Sequence, residues 1–569
     1  MHPAVIVLLL AALAAALLLG SPHFRARLAV WRLFRQEEVE SRDERRPPRR
    51  HVEAYHRAIV AQGLGVQGTG THGTVADGMV APGTVAPATY IDDRTWADLD
   101  LNEIYSELDH TKSRPGQQYL RHLLRTPQTP DALRHLHKAV EELRGDEPIA
   151  KAVRKALSNV DDPRASYLVD LIFGELPDRP ALWWVFPLLT LSAVGFLIGS
   201  FYDPRALIGL IAVSAVNICV QVLYRPRVEA LIPAIHEVSA FLRAGRKLAA
   251  IRFDALQNEQ EMLHGADNNL SRLDVMTRWL KYEPSEEVNQ IVASLYTYVN
   301  MILLIDVNAF VFTINSARRA RPTLQRVFNA IGYIDAAQSI AHWRSTLPHW
   351  CAPEFTREEK HLNVSDVVHP LVANAVPNDL VVNDSSVLIT GSNMSGKTTF
   401  VRAVGINAIL AQTVSTALAT RWHAPYLRVG SSIGNTDSVL EGRSYYMAEV
   451  ESIRSLVERK HDGHQHLFLI DELFRGTNTA ERVAGAYGVL EYLNRGRDIV
   501  IVATHDTELL GLLGNAYAPH HFREEISPDG LSFDYIMRDG QATTRNAIAL
   551  LEIMKYPAEI VDNARRILS

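Results

Sequence analysis

Cysteine is almost missing from this chain: its 569 residues hold two, Cys219 and Cys351. Two cysteines build neither a disulfide framework nor a cysteine zinc site, and a reducing compartment suits them. Positive charge is not in excess either. Lys and Arg total 58 against 64 Asp and Glu, for a formal net charge of -6. That balance gives no support to a nucleic-acid binder, although a local basic patch can act inside an acidic chain. There is no internal repeat, and no long charged heptad array that would predict a coiled-coil arm. The length alone predicts several domains.

What is present in quantity is apolar sequence. Residues 4–20 carry no charge or strong polar group, and at about 1.5 Å per residue they nearly span a hydrocarbon core of about 30 Å. Lys and Arg are absent before this run, whereas Arg25, Arg27, Arg32 and Arg35 follow it. The pattern favours an uncleaved anchor over a secretory signal and keeps the C-terminal side in the cytoplasm. Residues 181–202 and 206–224 form two further runs, separated by Asp203, Pro204 and Arg205. Trp183, Trp184, Tyr202 and Tyr224 stand at their ends, where interfacial aromatics belong. A tight membrane hairpin is expected, the competing reading being a buried helical hairpin of a soluble domain. The apolar run 301–314 contains Asp306 and Asn308 and reads as a core helix.

Residues 1–23 are thus expected to be an anchor, 24–89 a charged and flexible juxtamembrane linker, and 181–224 a transmembrane hairpin. From Tyr90 onward Trp96, Leu99, Leu101, Ile104, Tyr105 and Leu108 recur at helical spacing. Residues 90–180 and 225–361 are read as two parts of one helical domain. From residue 362 to 569 short strand-like runs (386–390, 467–471, 499–504) alternate with helices starting at Lys397 and Thr479. This alternation predicts a largely parallel sheet covered by helices.

The first of those strands enters Gly391-Ser392-Asn393-Met394-Ser395-Gly396-Lys397-Thr398. This is a G-x-x-x-x-G-K-[ST] phosphate loop in its strand–loop–helix setting. Its glycines let backbone N–H groups converge on phosphate oxygens at the positive end of the following helix. Lys397 is placed to reach the β and γ phosphates, and the Thr398 hydroxyl to ligate Mg²⁺. The second strand ends in Asp471-Glu472, one carboxylate for the Mg²⁺ shell and one to polarise the attacking water. The third ends in Thr504-His505-Asp506, with His505 available to contact the γ-phosphate or orient water. Lys397, Glu472 and His505 are the candidate catalytic residues; Thr398 and Asp471 are the candidate metal ligands.

These strings resemble the MutS family. The phosphate loop through Thr399, with Asn393 and Met394 in place, looks like that family's loop. Asp471-Glu472-Leu-Phe-Arg475-Gly476-Thr477-Asn478-Thr479 resembles its D-E-x-x-R-G-T-S-T string, and Ala503-Thr504-His505 its third motif. Residues 437–450, with Gly442-Arg443-Ser444 and Met447-Ala-Glu449, are similar to its signature segment. His369-Pro370-Leu371-Val372 stands where the family has a His-Pro string. Leu108-Asp109-His110-Thr111-Lys-Ser113-x-x-Gly116 looks like the start of its lever region. Tyr445 and Tyr446 depart from the family's usual Thr-Phe, and Glu441 from a frequent Ser.

The resemblance implies an ABC-type α/β P-loop ATPase domain preceded by an all-α lever, to which the apolar runs add three expected transmembrane helices. It implies ATP and Mg²⁺ as ligands, and a homodimer in which Ser444 of one subunit faces the nucleotide of the other. No counterpart of the family's mismatch-reading or connector domain precedes Tyr90; Phe522-Arg523-Glu524 carries the reader's letters but lies inside the ATPase part. Two functions remain open. One is a membrane-anchored ATPase acting on branched or damaged DNA with weak mismatch preference, Arg318, Arg319, Arg321 and Arg326 being its best basic cluster. The other is an ATP-driven machine whose lever acts on a protein partner without DNA. An ABC transporter is disfavoured by the absence of an LSGGQ-like string. The expected location is a bacterial inner (plasma) membrane, multi-pass, with the ATPase domain cytoplasmic.

Overall fold

The computed structural model describes residues 52–61, 90–176, 178, 180–229, 232–265, 270, 298–392, 394–434, 445–527, 530–541, 551 and 555–568. The chain divides into two compact units. The first comprises Met1–Leu64, Thr111–His122 and Gly145–Gln338; the second comprises Gly65–His110, Leu123–Arg144 and Ser339–Ser569.

The described residues of the first unit are helical. Its centre is aromatic: Tyr55, Tyr119, Phe173, Phe241 and Phe328 are buried, and the Tyr55 ring lies 5.1 Å from both Phe173 and Phe328. Tyr55 belongs to the helix Ala54–Ala61, inside the stretch expected to be a linker. Tyr55 and Ile59, four residues apart, form one apolar face, and burying that face holds the helix. A second fixed point is Asp335, fully buried. Its carboxylate accepts hydrogen bonds from Lys112 N (2.9 Å), Ser113 N (2.8 Å) and Ser113 Oγ (2.6 Å), just before the helix Arg114–Arg125. A Cβ on Gly116 would lie 2.0 Å from Asp335 Oδ2, so only glycine admits this cap.

The three expected spans need correction. Residues 4–20 lie outside the described residues. Of the other two runs, one makes a helix long and apolar enough to cross a membrane: Ala206–Tyr224, within the helix Ala206–Glu229 and 6% buried. The other is helical only over Val185–Gly199, 15 residues, or about 22 Å. Residues 181–184 form turns, with Trp183 N bonded back to Pro180 O and Val185 N to Leu182 O. The two helices pair as a hairpin, with the Phe186 and Tyr224 rings 5.1 Å apart at one end and Gly209 beneath Phe196 toward the other. Leu188, Leu191, Ile208 and Ile211 on its outer faces are half or more exposed. A buried hairpin of a soluble domain does not describe it.

The second unit holds the strands β1 (Glu354–Phe355), β2 (His361–Val367), β3 (Asn378–Asn383), β4 (Ser386–Thr390), β5 (Arg421–Ala424), β6 (Arg428–Ser432), β7 (His466–Asp471), β8 (Ile499–Ala503), β9 (Tyr517–His521), β10 (Glu524–Ser527), β11 (Gly530–Phe533) and β12 (Arg538–Asp539). The main sheet has the order β12-β9-β4-β8-β7-β6, parallel except for the edge strand β12. β4, β7 and β8 are almost entirely apolar and buried, as strands covered on both faces must be. A second sheet, β1-β5-β2-β3, mixes parallel and antiparallel pairs and was not anticipated.

This unit also takes in helices from the stretch 90–180. Leu99 is fully buried and reaches the site of Gly405 on the helix Lys397–Thr413. Asp98, at the end of the helix Asp93–Asp98, accepts from Ser431 Oγ (2.7 Å) and Ile433 N (3.0 Å). Burial holds the Asp98 carboxyl above the ordinary carboxylate range. The sequence 90–180 therefore does not stay together as one helical block.

Candidate nucleotide site

Three parallel strands end level with one another. Ile389 of β4 is in register with Ala503 of β8, and Ala503 with Asp471 of β7. Thr504 N donates to Ile389 O (3.0 Å) and Glu472 N to Ala503 O (2.8 Å). All the expected catalytic groups thus emerge at the carboxyl edge of the sheet, where open α/β sheets place their ligands.

The phosphate loop follows β4. Gly391 has φ +142°, and a Cβ there would sit 2.7 Å from Phe522 O; Gly396 has φ +105° and caps the helix Lys397–Thr413. Both positions require glycine. Lys397 is buried, and its Nζ donates to Gly391 O (2.8 Å) and Ser392 O (2.7 Å). Burial pushes its pKa down, while Asp471 and Glu472 oppose that shift. Thr398 Oγ1 donates to Asp471 Oδ2 (2.6 Å), which joins the two expected metal ligands. Ser392 Oγ and Ser395 Oγ are buried with no protein partner. Met394 is 82% exposed on the loop's rim, at φ +72°. Thr399 lines the cleft, while Asn393 lies outside the described residues.

Glu472 is held on both sides. His505 Nε2 lies 2.8 Å from Oε1, and the Arg475 guanidinium pairs with Oε2. Burial raises the Glu472 pKa, but the His505 hydrogen bond and the Arg475 and Lys397 charges outweigh it and hold the carboxyl below its usual range. Both Glu472 (φ +59°) and Phe474 (φ +59°) lie in the left-handed region, costly for residues other than glycine. Glu449 stabilises that turn: its Oε1 accepts the backbone N–H of Phe474 and, at 3.4 Å, that of Arg475. Burial keeps the Glu449 carboxyl above the ordinary range. Arg482 forms a bidentate pair with Asp506, 2.8 and 2.6 Å, beside His505. The contacts of Arg475 and Glu449 with this turn were not foreseen, because they depend on positive-φ backbone that nothing in the string D-E-L-F-R announces.

The cleft has a volume of about 500 Å³. Its lining combines the polar Lys397, Thr398, Asp471, Glu472 and Arg475 with the apolar or aromatic Val372, Ala375, Val376, Phe522 and Tyr535. His369 borders it, its pKa pushed down to about 4 by burial and the Arg402 charge, so its ring is neutral near pH 7. Charged groups at a helix N-terminus together with apolar lining suit a nucleoside phosphate.

Comparison with known proteins agrees with this geometry. Residues 387–569 match the model for MutS domain V. The DNA mismatch repair protein MutS of Petrotoga mobilis is 29% identical over 262 residues, 43% of this chain and 31% of that one. Its counterpart from Thermus thermophilus is 34% identical over 209 residues, 35% and 25% of the two chains. That from Aquifex pyrophilus is 29% identical over 248 residues, 42% and 28%. The C-terminal domain belongs to the MutS family. The chain aligns with less than a third of the length of each of these relatives.

Within this MutS domain, Ser444, Glu441 and the signature residues up to Ser444 lie outside the described residues. The family departure at Tyr446 packs against the acidic turn: its ring is 6.3 Å from Phe474, and a Cβ on Gly476 would come within 3.0 Å of its own Cβ. Phe522 is buried beneath the phosphate loop, 6.0 Å from the Phe400 ring.

Proposed function

We propose that this MutS domain binds Mg²⁺–ATP and hydrolyses it to ADP and phosphate. The observation that carries the reading is the convergence, at one sheet edge, of a phosphate loop, a Thr–Asp pair and a glutamate oriented by histidine. Thr398 and Asp471 would hold the Mg²⁺, which would neutralise charge developing on the phosphates. The residues fit that role: the pair is preformed, and two serine hydroxyls of the loop are buried without protein partners. Lys397 would leave the loop carbonyls for the β and γ phosphates. Glu472 would polarise the attacking water, with His505 fixing its carboxylate. Ser444 would complete the site of a partner subunit in a homodimer.

Lys397→Ala is expected to weaken ATP binding by at least about tenfold, as loss of a charged hydrogen-bonding group implies. Titration of the full chain with a fluorescent ATP analogue reads this directly, and unchanged affinity would remove Lys397 from the site. Chelating Mg²⁺ with EDTA should abolish turnover.

The energy of hydrolysis is proposed to act on DNA, as the relatives' names indicate for those proteins. The basic cluster does not favour strong binding. Arg321 donates to Ile172 O and Gly174 O, and Arg318 to Leu176 O and Asp178, so both hold the segment 172–178. DNA contacts would be few and directed to phosphates, giving salt-sensitive affinity with less than about tenfold preference for a mismatch. Competition among matched duplex, single mismatch and four-way junction at several salt concentrations tests this. Strong mismatch preference would overturn the weak-specificity reading; no binding even at low salt would favour a protein partner.

The chain is further proposed to sit in the plasma membrane through its apolar hairpin, with the MutS domain on the cytoplasmic face. The exposed apolar surface of Ala206–Tyr224 supports this.

A further inference from the structure

The run 301–314, expected as a core helix, buries Val307, Phe310, Val311 and Ile314 but is not one continuous helix. Residues 298–303 are helical, the chain breaks at Leu304 with φ +52°, and a new helix runs over Ile305–Thr346. A left-handed leucine persists only where its surroundings fix it.

The groups that fix it come from the hairpin. Thr190 Oγ1 donates to Leu303 O (2.7 Å), and Asn217 Nδ2 donates to Ile302 O. Asn308 Nδ2 closes the arrangement on Thr190 Oγ1 (2.9 Å) and Leu304 O (3.0 Å). One polar side chain from each hairpin helix is therefore spent on a backbone carbonyl at the break. Asn217 is fully buried although the helix around it is apolar and exposed. Below the break, Phe312 packs edge-on against Trp183 at 6.1 Å.

The depth of this contact follows from the helices. Thr190 lies five residues into Val185–Gly199, and Asn217 seven residues before Tyr224. At about 1.5 Å per residue both are roughly 8–10 Å inside the hairpin's base. Irregular backbone at such depth is tolerated only where protein groups satisfy its carbonyls, and here they do. Around it Tyr298 (66%), Val299 (37%) and Phe312 (37%) stay exposed.

We propose that residues 298–312 are a re-entrant membrane element, a broken helix that enters the hydrocarbon beside the hairpin as far as Leu303 and is docked there by Thr190 and Asn217. The occupant of its outer face is lipid acyl chain. This rests on the hairpin being in a membrane, and the test separates the two.

The full chain is reconstituted into phosphatidylcholine vesicles and labelled with an apolar trifluoromethyl-phenyl-diazirine that partitions into hydrocarbon. Mass spectrometry then reads the modified residues. Tyr298, Val299 and Phe312 are expected to label like Leu191 and Ile211, at least about tenfold above the exposed Leu512 of the MutS domain, because the probe concentrates in apolar solvent. The double variant Thr190→Val, Asn217→Leu should lose labelling at 298–299 and keep it in the hairpin. Labelling of the hairpin with 298–312 at the Leu512 level overturns the proposal and leaves the membrane reading intact. Hairpin labelling at the Leu512 level overturns both. Undiminished labelling of 298–299 in the double variant overturns the docking by Thr190 and Asn217.

Discussion

Glu472→Gln lowers ATP turnover by the full chain about a hundredfold to ten-thousandfold, the range associated with loss of a positioned general base. Nucleotide affinity stays within about threefold, because Thr398, Asp471 and Lys397 are untouched, so the loss falls on kcat rather than on binding. The neutral amide keeps one acceptor for His505 but gives up the charge that pairs with Arg475. The pH profile adds a second reading. Glu472 has a depressed pKa, so the carboxylate form persists as pH falls and is lost only below the usual carboxylate range. Removing the hydrogen bond with His505→Ala lets that pKa rise, which moves the acid limb of the rate profile to higher pH. Single-turnover hydrolysis with radiolabelled ATP measures the first effect; wild-type turnover by the Gln variant would discard the role given to Glu472.

Asp335→Ala destabilises the helical unit by about 3–5 kcal/mol, since each buried donor left unpaired costs about 1–3 kcal/mol and the carboxylate serves Lys112 N, Ser113 N and Ser113 Oγ. For a unit of this size the unfolding midpoint should fall by roughly 6–20 °C. Asp335→Asn keeps an acceptor and should lose less. Hydrogen exchange locates the effect: amides in 114–122 should open faster, while β4 and β7 keep their protection. A midpoint shift below about 2 °C in the Ala variant would mean that the cap contributes little.

How much of this was readable beforehand differs by element. β4 and β8, and the helices starting at Lys397 and Thr479, fall within a residue or two of expectation. They are short apolar runs bounded by glycine or by Asn478, whose side chain caps Glu481 N. The second sheet escaped because β2 and β3 alternate polar with apolar residues and find their third partner, β5, far along the chain. Composition around residues 181–202 suggested a full span; turns shorten the helix at both ends. Asp335 gives no local signal of its role, since its partners lie more than 220 residues earlier. Glu449 was marked by the signature resemblance, but its contact with the backbone amides of Phe474 and Arg475 depends on the positive-φ turn at Glu472 and Phe474, which the sequence does not announce.

The bond between Asp98 and Ile433 has a consequence for synthesis. The two residues are 335 positions apart, so at about 5–20 residues per second the helix Asp93–Asp98 waits roughly 17–67 s for its partner to be made. Through that interval Leu99, destined for full burial, has no finished surface to cover it. The nucleotide domain therefore closes only after β8 and β9, still farther along the chain, have been made.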